Sequence, residues 1–149
     1  MPPALATALT MEYHTSGPGL ISIIDDDMSV RVGLKRLFKS VGFEVADFAS
    51  GEEFLNFGGL QSSDCLVLDL RMPGMDGLEL QSRLISENHQ IPIVFLTAHG
   101  DDQVRGKAMS DGAISFICKP FNEESLIRDV KKAVSQHRLG SHYSRLQEN

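Results

Sequence analysis

No apolar run in this 149-residue chain approaches the ~20 residues that a helix needs to cross a bilayer. The opening stretch "MPPALATALTMEYHTSGPG" has neither a basic start nor a proper apolar centre, so no signal peptide is expected and the cytoplasm is the expected location. Cysteine is scarce. Cys65 and Cys118 are the only two, both inside apolar strand-like runs, which predicts buried free thiols rather than a disulfide. An excess of basic charge is also missing: 20 acidic residues against 14 Lys and Arg give a net charge of -6. That balance argues against a non-specific grip on nucleic acid or on an anionic membrane. There is no internal repeat, low-complexity tract or heptad pattern. No Walker-type glycine loop is present either, because Gly17-Pro18-Gly19 precedes a strand instead of following one. The histidines (His14, His89, His99, His137 and His142) lack metal-ligand spacing with cysteine and are expected in loops or at the surface.

What is present suffices for one domain. The hydrophobic share, 42%, is ordinary for a packed core. Residues 1–18 read as a flexible extension, rich in small and turn residues, with Met1 and Met11 both eligible as the start. From Leu20 a regular alternation begins. "LISII" (20–24), "FEVADFA" (43–49), "CLVLDL" (65–70), "IPIVFLT" (91–97) and "AISFICK" (113–119) read as strands. Helical spacing covers 28–41, a short segment from the Ser50/Glu53 capping box to Gly58-Gly59, then 77–87, 101–110 and about 122–138. This predicts a domain over 19–138 and a tail over 139–149.

Five strands alternating with five helices predict βαβ crossovers: an α/β, doubly wound, five-stranded parallel sheet with helices on both faces. Strands buried on both sides should read as continuous apolar runs, as the first, third and fourth do. Such a sheet commonly takes the order 2-1-3-4-5, and its site lies beyond the carboxyl ends of the strands, where the winding reverses. The first strand ends in Asp25-Asp26-Asp27 and the third in Asp69. Acids brought that close repel one another unless a cation joins them, and Mg²⁺ is a hard ion suited to carboxylates, a backbone carbonyl and retained waters.

The fourth strand ends in Thr97 and the fifth in Lys119-Pro120, on the same predicted edge. Carboxylates, a hydroxyl and an ammonium together can hold a phosphoryl group, and a carboxylate can attack it to give an acyl phosphate. Asp27 reads instead as a helix cap or solvated acid.

The ordered set "IIDDD", "LVLDLRMPGMDG", "FLTAHG" and "FICKPF", spread over residues 20–138, resembles the receiver domain of two-component response regulators, and "TAHGD" is similar to receivers of the FixJ type. The resemblance implies a flavodoxin-like fold and a phosphorylation switch rather than a turnover enzyme. It implies Asp69 as phosphoacceptor and Asp26 and Asp69 as Mg²⁺ ligands, with Asp25 acting through a water and the backbone carbonyl of Arg71 as a further ligand. It also implies Thr97 and Lys119 on the phosphoryl group, a cis Lys119-Pro120 bond, and Thr97 with Phe116 as the switch pair. Ala98 is small, as phosphoryl access requires. The phosphoryl donor implied is a histidine kinase or phosphotransfer protein. The face of the fourth helix, fifth strand and fifth helix is the expected dock for an output protein or a second copy, with Gln103, Val104 and Lys107 as candidate contacts. Direct nucleic-acid or membrane contact is not expected.

Two rival readings stand beside this one. A small phosphatase with an aspartate nucleophile usually carries a second acid two residues later, where this chain has Arg71. A DNA-binding transcriptional regulator would need an output domain, and about ten residues after the last predicted helix are too few for one. The expectation is a stand-alone receiver, or else an N-terminal receiver fragment of a longer regulator. Lys131, Lys132 and Arg138 read as a solvated helix end.

Overall fold

Strands form where β-branched and apolar residues run together, and helices begin where a polar side chain can cap them. In the computed structural model, which describes residues 17–57, 60 and 62–147, those rules produce ten elements. They are β1 (Leu20–Ile24), α1 (Met28–Ser40), β2 (Glu44–Phe48), α2 (Gly51–Phe57), β3 (Cys65–Leu68), α3 (Gly77–Ser86), β4 (Ile93–Thr97), α4 (Asp102–Ser110), β5 (Ser115–Cys118) and α5 (Glu123–Gln147). Most of the expected extension, Met11, His14 and the Gly58-Gly59 helix end lie outside the described residues. Among the described residues, no helix is long and apolar enough to cross a membrane.

The sheet order is β2-β1-β3-β4-β5, every pair parallel. Its two faces bury separate cores. On one, Ile21, Ile23, Val67, Val94 and Leu96 meet Leu34 and Phe38 of α1 and Leu126, Val130 and Ala133 of α5. On the other, Ile24, Leu66, Leu68, Phe95 and Phe116 meet Phe54 of α2, Leu80 and Leu84 of α3 and Ala108 of α4. β3 is buried at every position, which explains its unbroken apolar run.

Capping follows the sequence closely. Asp27, not Asp25 or Asp26, caps α1 by accepting from the Ser29 N–H at 2.9 Å. Ser50 accepts from the Glu53 N–H at 3.0 Å, and Glu53 reaches back to the Ala49 N–H at 3.0 Å. Asp76 and Asp101 cap α3 and α4.

Three expectations are corrected. Cys118 is exposed, not buried, because it closes β5, the edge strand, while Cys65 is buried as expected. The last helix does not end near 138 but runs to Gln147, passing through Gly140 without stopping there. Arg138 is not part of a solvated helix end, and His137, expected in a loop or at the surface, lies on α5 and is partly buried. His137 Nδ1 lies 3.1 Å and Arg138 Nη2 3.2 Å from the two oxygens of Asp64, which also accepts from the Leu20 N–H at 3.0 Å. Arg138 donates in addition to the Gly17 carbonyl at 2.6 Å. The acid in front of β3 thus clamps α5 to the start of β1. Lys131 and Lys132 are exposed, as read.

Candidate functional site

The strand register assembles the site. Ile24 pairs with Leu68, and Leu68 with Phe95, so the residues that follow β1, β3 and β4 emerge on one edge. The Asp69 N–H donates to the Ile24 carbonyl at 2.9 Å, which sets the end of β3 beside the first acid of the Asp25–Asp27 turn. Carboxylate oxygens of Asp25, Asp26 and Asp69 lie within 4.8 Å of one another. Asp25 and Asp69 are buried, 3% and 7% exposed, whereas Asp26 is open to solvent.

The two buried acids are each held by their own turn. Asp25 Oδ1 accepts from the Asp27 N–H at 2.9 Å. Asp69 Oδ1 accepts from the Leu70 N–H at 2.8 Å, which fixes the plane of that carboxylate. Burial, and then the charge of Asp69, push the Asp25 carboxyl above its ordinary range, against the pull of the Asp27 N–H and Lys119. Lys119, which follows β5, brings its Nζ to 3.5 Å from Asp25 Oδ2. The Lys119-Pro120 bond is cis.

Behind Asp69 the loop 69–77 is packed without slack. The Gly77 N–H donates to the Leu70 carbonyl at 2.8 Å. A Cβ on Gly77 would run into the Asp69 carbonyl oxygen and stand 3.0 Å from the Phe95 ring, so only glycine lets α3 begin this close to β3. Gly74 takes the left-handed conformation, φ 76°, and the Met75 N–H beside it donates to Glu52 of α2 at 2.9 Å. Arg71 is exposed.

Thr97 is fully buried at the end of β4, its Oγ1 accepting from the His99 N–H at 3.1 Å. Ala98 and His99 are exposed at the mouth. Phe116 is 4% exposed. Its ring centroid lies 5.7 Å from that of Phe95, and the Arg105 guanidinium of α4 stands 5.3 Å over it. Gly100 makes room for this ring, because a Cβ there would meet Phe116 Cε1 and Cζ. Gln103 and Lys107 on α4 are exposed; Val104 is partly buried against the core, which weakens it as a contact residue.

Sequence reasoning missed Arg31. It donates from Nε to Asp47 Oδ2 at 3.1 Å and from Nη1 to the Asp25 carbonyl at 2.9 Å. An acid inside the apolar run "FEVADFA" was the available signal.

The chemistry this edge can do follows from its donors. Clustered hard oxygen donors fit a divalent cation, a buried carboxylate among them can act as a nucleophile, and the Lys119 ammonium stands beside Asp25.

The family described as response regulator receiver domain matches residues 21–131. The response regulator protein TmoT of Ectopseudomonas mendocina is 44% identical over 126 residues, covering 85% of this chain and 57% of that protein. The transcriptional regulatory protein FixJ of Bradyrhizobium diazoefficiens is 39% identical over 118 residues, covering 79% of this chain and 58% of FixJ. The solved structure of response regulator StyR superposes with a TM-score of 0.81 at 43% identity, covering 87% of this chain and 65% of StyR. The chain therefore spans little more than half the length of these curated relatives.

Proposed function

Since the chain belongs to the response regulator receiver domain family, we propose that it is a phosphorylation switch in which Asp69 is the phosphoacceptor. The observation that carries this reading is the meeting of Asp25, Asp26 and Asp69 within 4.8 Å, with Lys119 alongside.

The site fits Mg²⁺ because three carboxylates, two of them buried, have Lys119 at 3.5 Å as the one amine in hydrogen-bond reach among the described contacts. Asp26, Asp69 and the Arg71 carbonyl would hold the ion, and Asp25 would orient a water on it. When bound, Mg²⁺ neutralises carboxylate charge and polarises phosphoryl oxygens. The rest is the work of the chain. An oxygen of Asp69 attacks the phosphorus of a phosphohistidine. The new O–P bond forms as the P–N bond breaks, and the electron pair leaves with the imidazole nitrogen. Lys119 turns from Asp25 to the added phosphoryl oxygens. Thr97, whose Oγ1 accepts from the His99 N–H, turns its hydroxyl proton to the phosphate, a charge-assisted hydrogen bond stronger than a neutral one.

The donor in this reading is a histidine kinase or phosphotransfer protein in the cytoplasm. The output leaves through the face of α4, β5 and α5, next to Thr97 and Phe116, toward a partner protein or a second copy. A DNA-binding output domain in the same polypeptide is the alternative supported by the share of TmoT and FixJ that this chain covers.

Labelling tests it. With Mg²⁺ and a small acyl-phosphate donor, the wild-type protein is expected to gain one phosphoryl group and Asp69→Asn none, because an amide is no nucleophile. Full labelling of Asp69→Asn would remove Asp69 from the mechanism.

A further inference from the structure

Three like charges held together at the end of a sheet need something to hold them there. In Asp25, every polar group is engaged. Its N–H donates to the Phe48 carbonyl at 3.1 Å and its carbonyl accepts from Arg31 Nη1 at 2.9 Å. Its Oδ1 accepts from the Asp27 N–H, and its Oδ2 faces Lys119. Both backbone contacts lead to β2, one directly at Phe48 and the other through Arg31, whose Nε is anchored on Asp47 Oδ2 at 3.1 Å.

Arg31 is unusual for its type. Its side chain is only 15% exposed, and arginine is rarely that buried unless its head group is satisfied. A guanidinium is a rigid planar fork and can meet two acceptors at once; an ammonium on a flexible stem cannot match it. Arg31 also belongs to the turn it supports, since its own N–H donates to the Asp27 carbonyl at 3.1 Å. The segment Asp25–Asp27 is therefore gripped at both ends by one residue.

Joining α1 to β2 does not require this bridge. Lys35, one helical turn further on, already reaches the other oxygen of Asp47 at 3.1 Å, from a more exposed position, 38% against 15%. What Lys35 does not reach is Asp25. The contact that Arg31 adds is the one to the turn presenting Asp25 and Asp26.

We infer that Arg31 is a positioning residue for the divalent-cation pocket: by bridging the Asp25 carbonyl to Asp47, it holds the Asp25–Asp27 turn in the geometry that lets Asp25 and Asp26 face Asp69. This rests on the metal reading of the pocket. Without the bridge, carboxylate repulsion pushes the turn outward, and a cation must first draw it back. Partners one shell out from a metal typically set its affinity by 10–100-fold. A contact to the backbone rather than to the ligating carboxylate belongs at the lower end of that range.

The test is Mg²⁺ titration by calorimetry on wild type, Arg31→Met and Lys35→Met, each first checked for a folded far-ultraviolet spectrum and a melting temperature without metal. Both variants are expected to melt earlier. Only Arg31→Met is expected to bind Mg²⁺ more weakly, by about tenfold. Equal affinity in wild type and Arg31→Met overturns the inference, as does equal weakening in both variants, which would make the α1–β2 ion pair the cause. Should Arg31→Met fail to fold, Arg31→Lys takes its place. It keeps the charge but loses the fork, so weakened binding supports the bridge and wild-type affinity overturns it. Absence of saturable Mg²⁺ binding in the wild type is a different failure, that of the metal reading itself, and the inference falls with it.

Discussion

Lys119 and Asp25, 94 positions apart in the chain, face each other at 3.5 Å across the ends of β5 and β1. The separation is long for a charge-assisted bond, and Lys119 keeps 24% of its side chain exposed against 4% for Asp25. The ammonium therefore offsets part of the pocket's charge while staying free to re-pair. Lys119→Met is expected to lower stability without Mg²⁺ by about 1–2 kcal/mol, less than the loss of a fully buried partner. Added Mg²⁺ should recover much of that loss by taking over the neutralising role. Thermal unfolding with and without the ion measures this; an equal loss under both conditions would show that the ion pair and the cation do not share a task.

Gly77 is expected to tolerate no side chain. Gly77→Ala should destabilise the fold by about 1–3 kcal/mol through overpacking against the Asp69 carbonyl and Phe95. It should also slow phosphoryl uptake, because the same clash displaces the end of β3. Gly33→Ala on α1 is the matching control. A Cβ there meets nothing within 4 Å, and replacing a mid-helix glycine should stabilise by about 0.5–1 kcal/mol. Urea denaturation of the pair would show opposite signs.

Acid sensitivity should trace to Asp64. Burial opposes its ionisation, but His137, the Leu20 N–H and Arg138 outweigh burial and hold its carboxyl below the ordinary range. A carboxyl with a lowered folded pKa contributes stability above its unfolded pKa, near ~4, and loses it as pH falls through the folded value. Asp64→Asn is expected to reduce stability at pH 7 and to flatten the decline below about pH 4. Denaturant melts across that range would check it, and an unchanged acid slope in the variant would assign the decline elsewhere.

Thr97 and Phe116 should separate uptake from read-out. Thr97 is fully buried and bonded to the His99 N–H, while the Phe116 ring already fills the interior beneath the Arg105 guanidinium. Thr97→Ala is expected to accept phosphate at Asp69 yet lose the phosphorylation-dependent shifts of α4 amides in NMR spectra. Shifts matching wild type in phosphorylated Thr97→Ala would rule out this route.

Much of this was legible in the sequence for definite reasons. A parallel sheet covered on both faces writes itself as apolar runs, and each run here stops at the polar residue that the edge presents. Asp25, Asp69, Thr97 and Lys119 can therefore be placed on one edge from the sequence alone. Caps were equally open, since Ser50 with Glu53 is a local pattern. The contacts that escaped notice are long-range ones made by residues with an adequate local explanation. Arg31 passes for a helix-surface cation until its position opposite Asp47 is known. His137 passes for a surface histidine and Arg138 for a helix end, because their common partner, Asp64, lies 73 and 74 positions away. Cys118 misled for another reason: its apolar run marks strand membership, while the signal against burial was the expected order 2-1-3-4-5, which leaves the fifth strand at an edge.

The clamp at Asp64 gives α5 a second hold besides its buried face. The helix begins next to Lys119-Pro120, on the edge that carries Asp69, and is pinned near Arg138 at the opposite edge, where β1 and β3 begin. At about 1.5 Å per residue, the arm from Asn122 to the pin is about 24 Å, and the continuation to Gln147 about 13 Å. Between Asn122 and the pin, Leu126, Val130 and Ala133 are buried against the sheet, so the helix is held along that length and not at Arg138 alone. Core and clamp together make this part of α5 a splint laid across the sheet from one edge to the other.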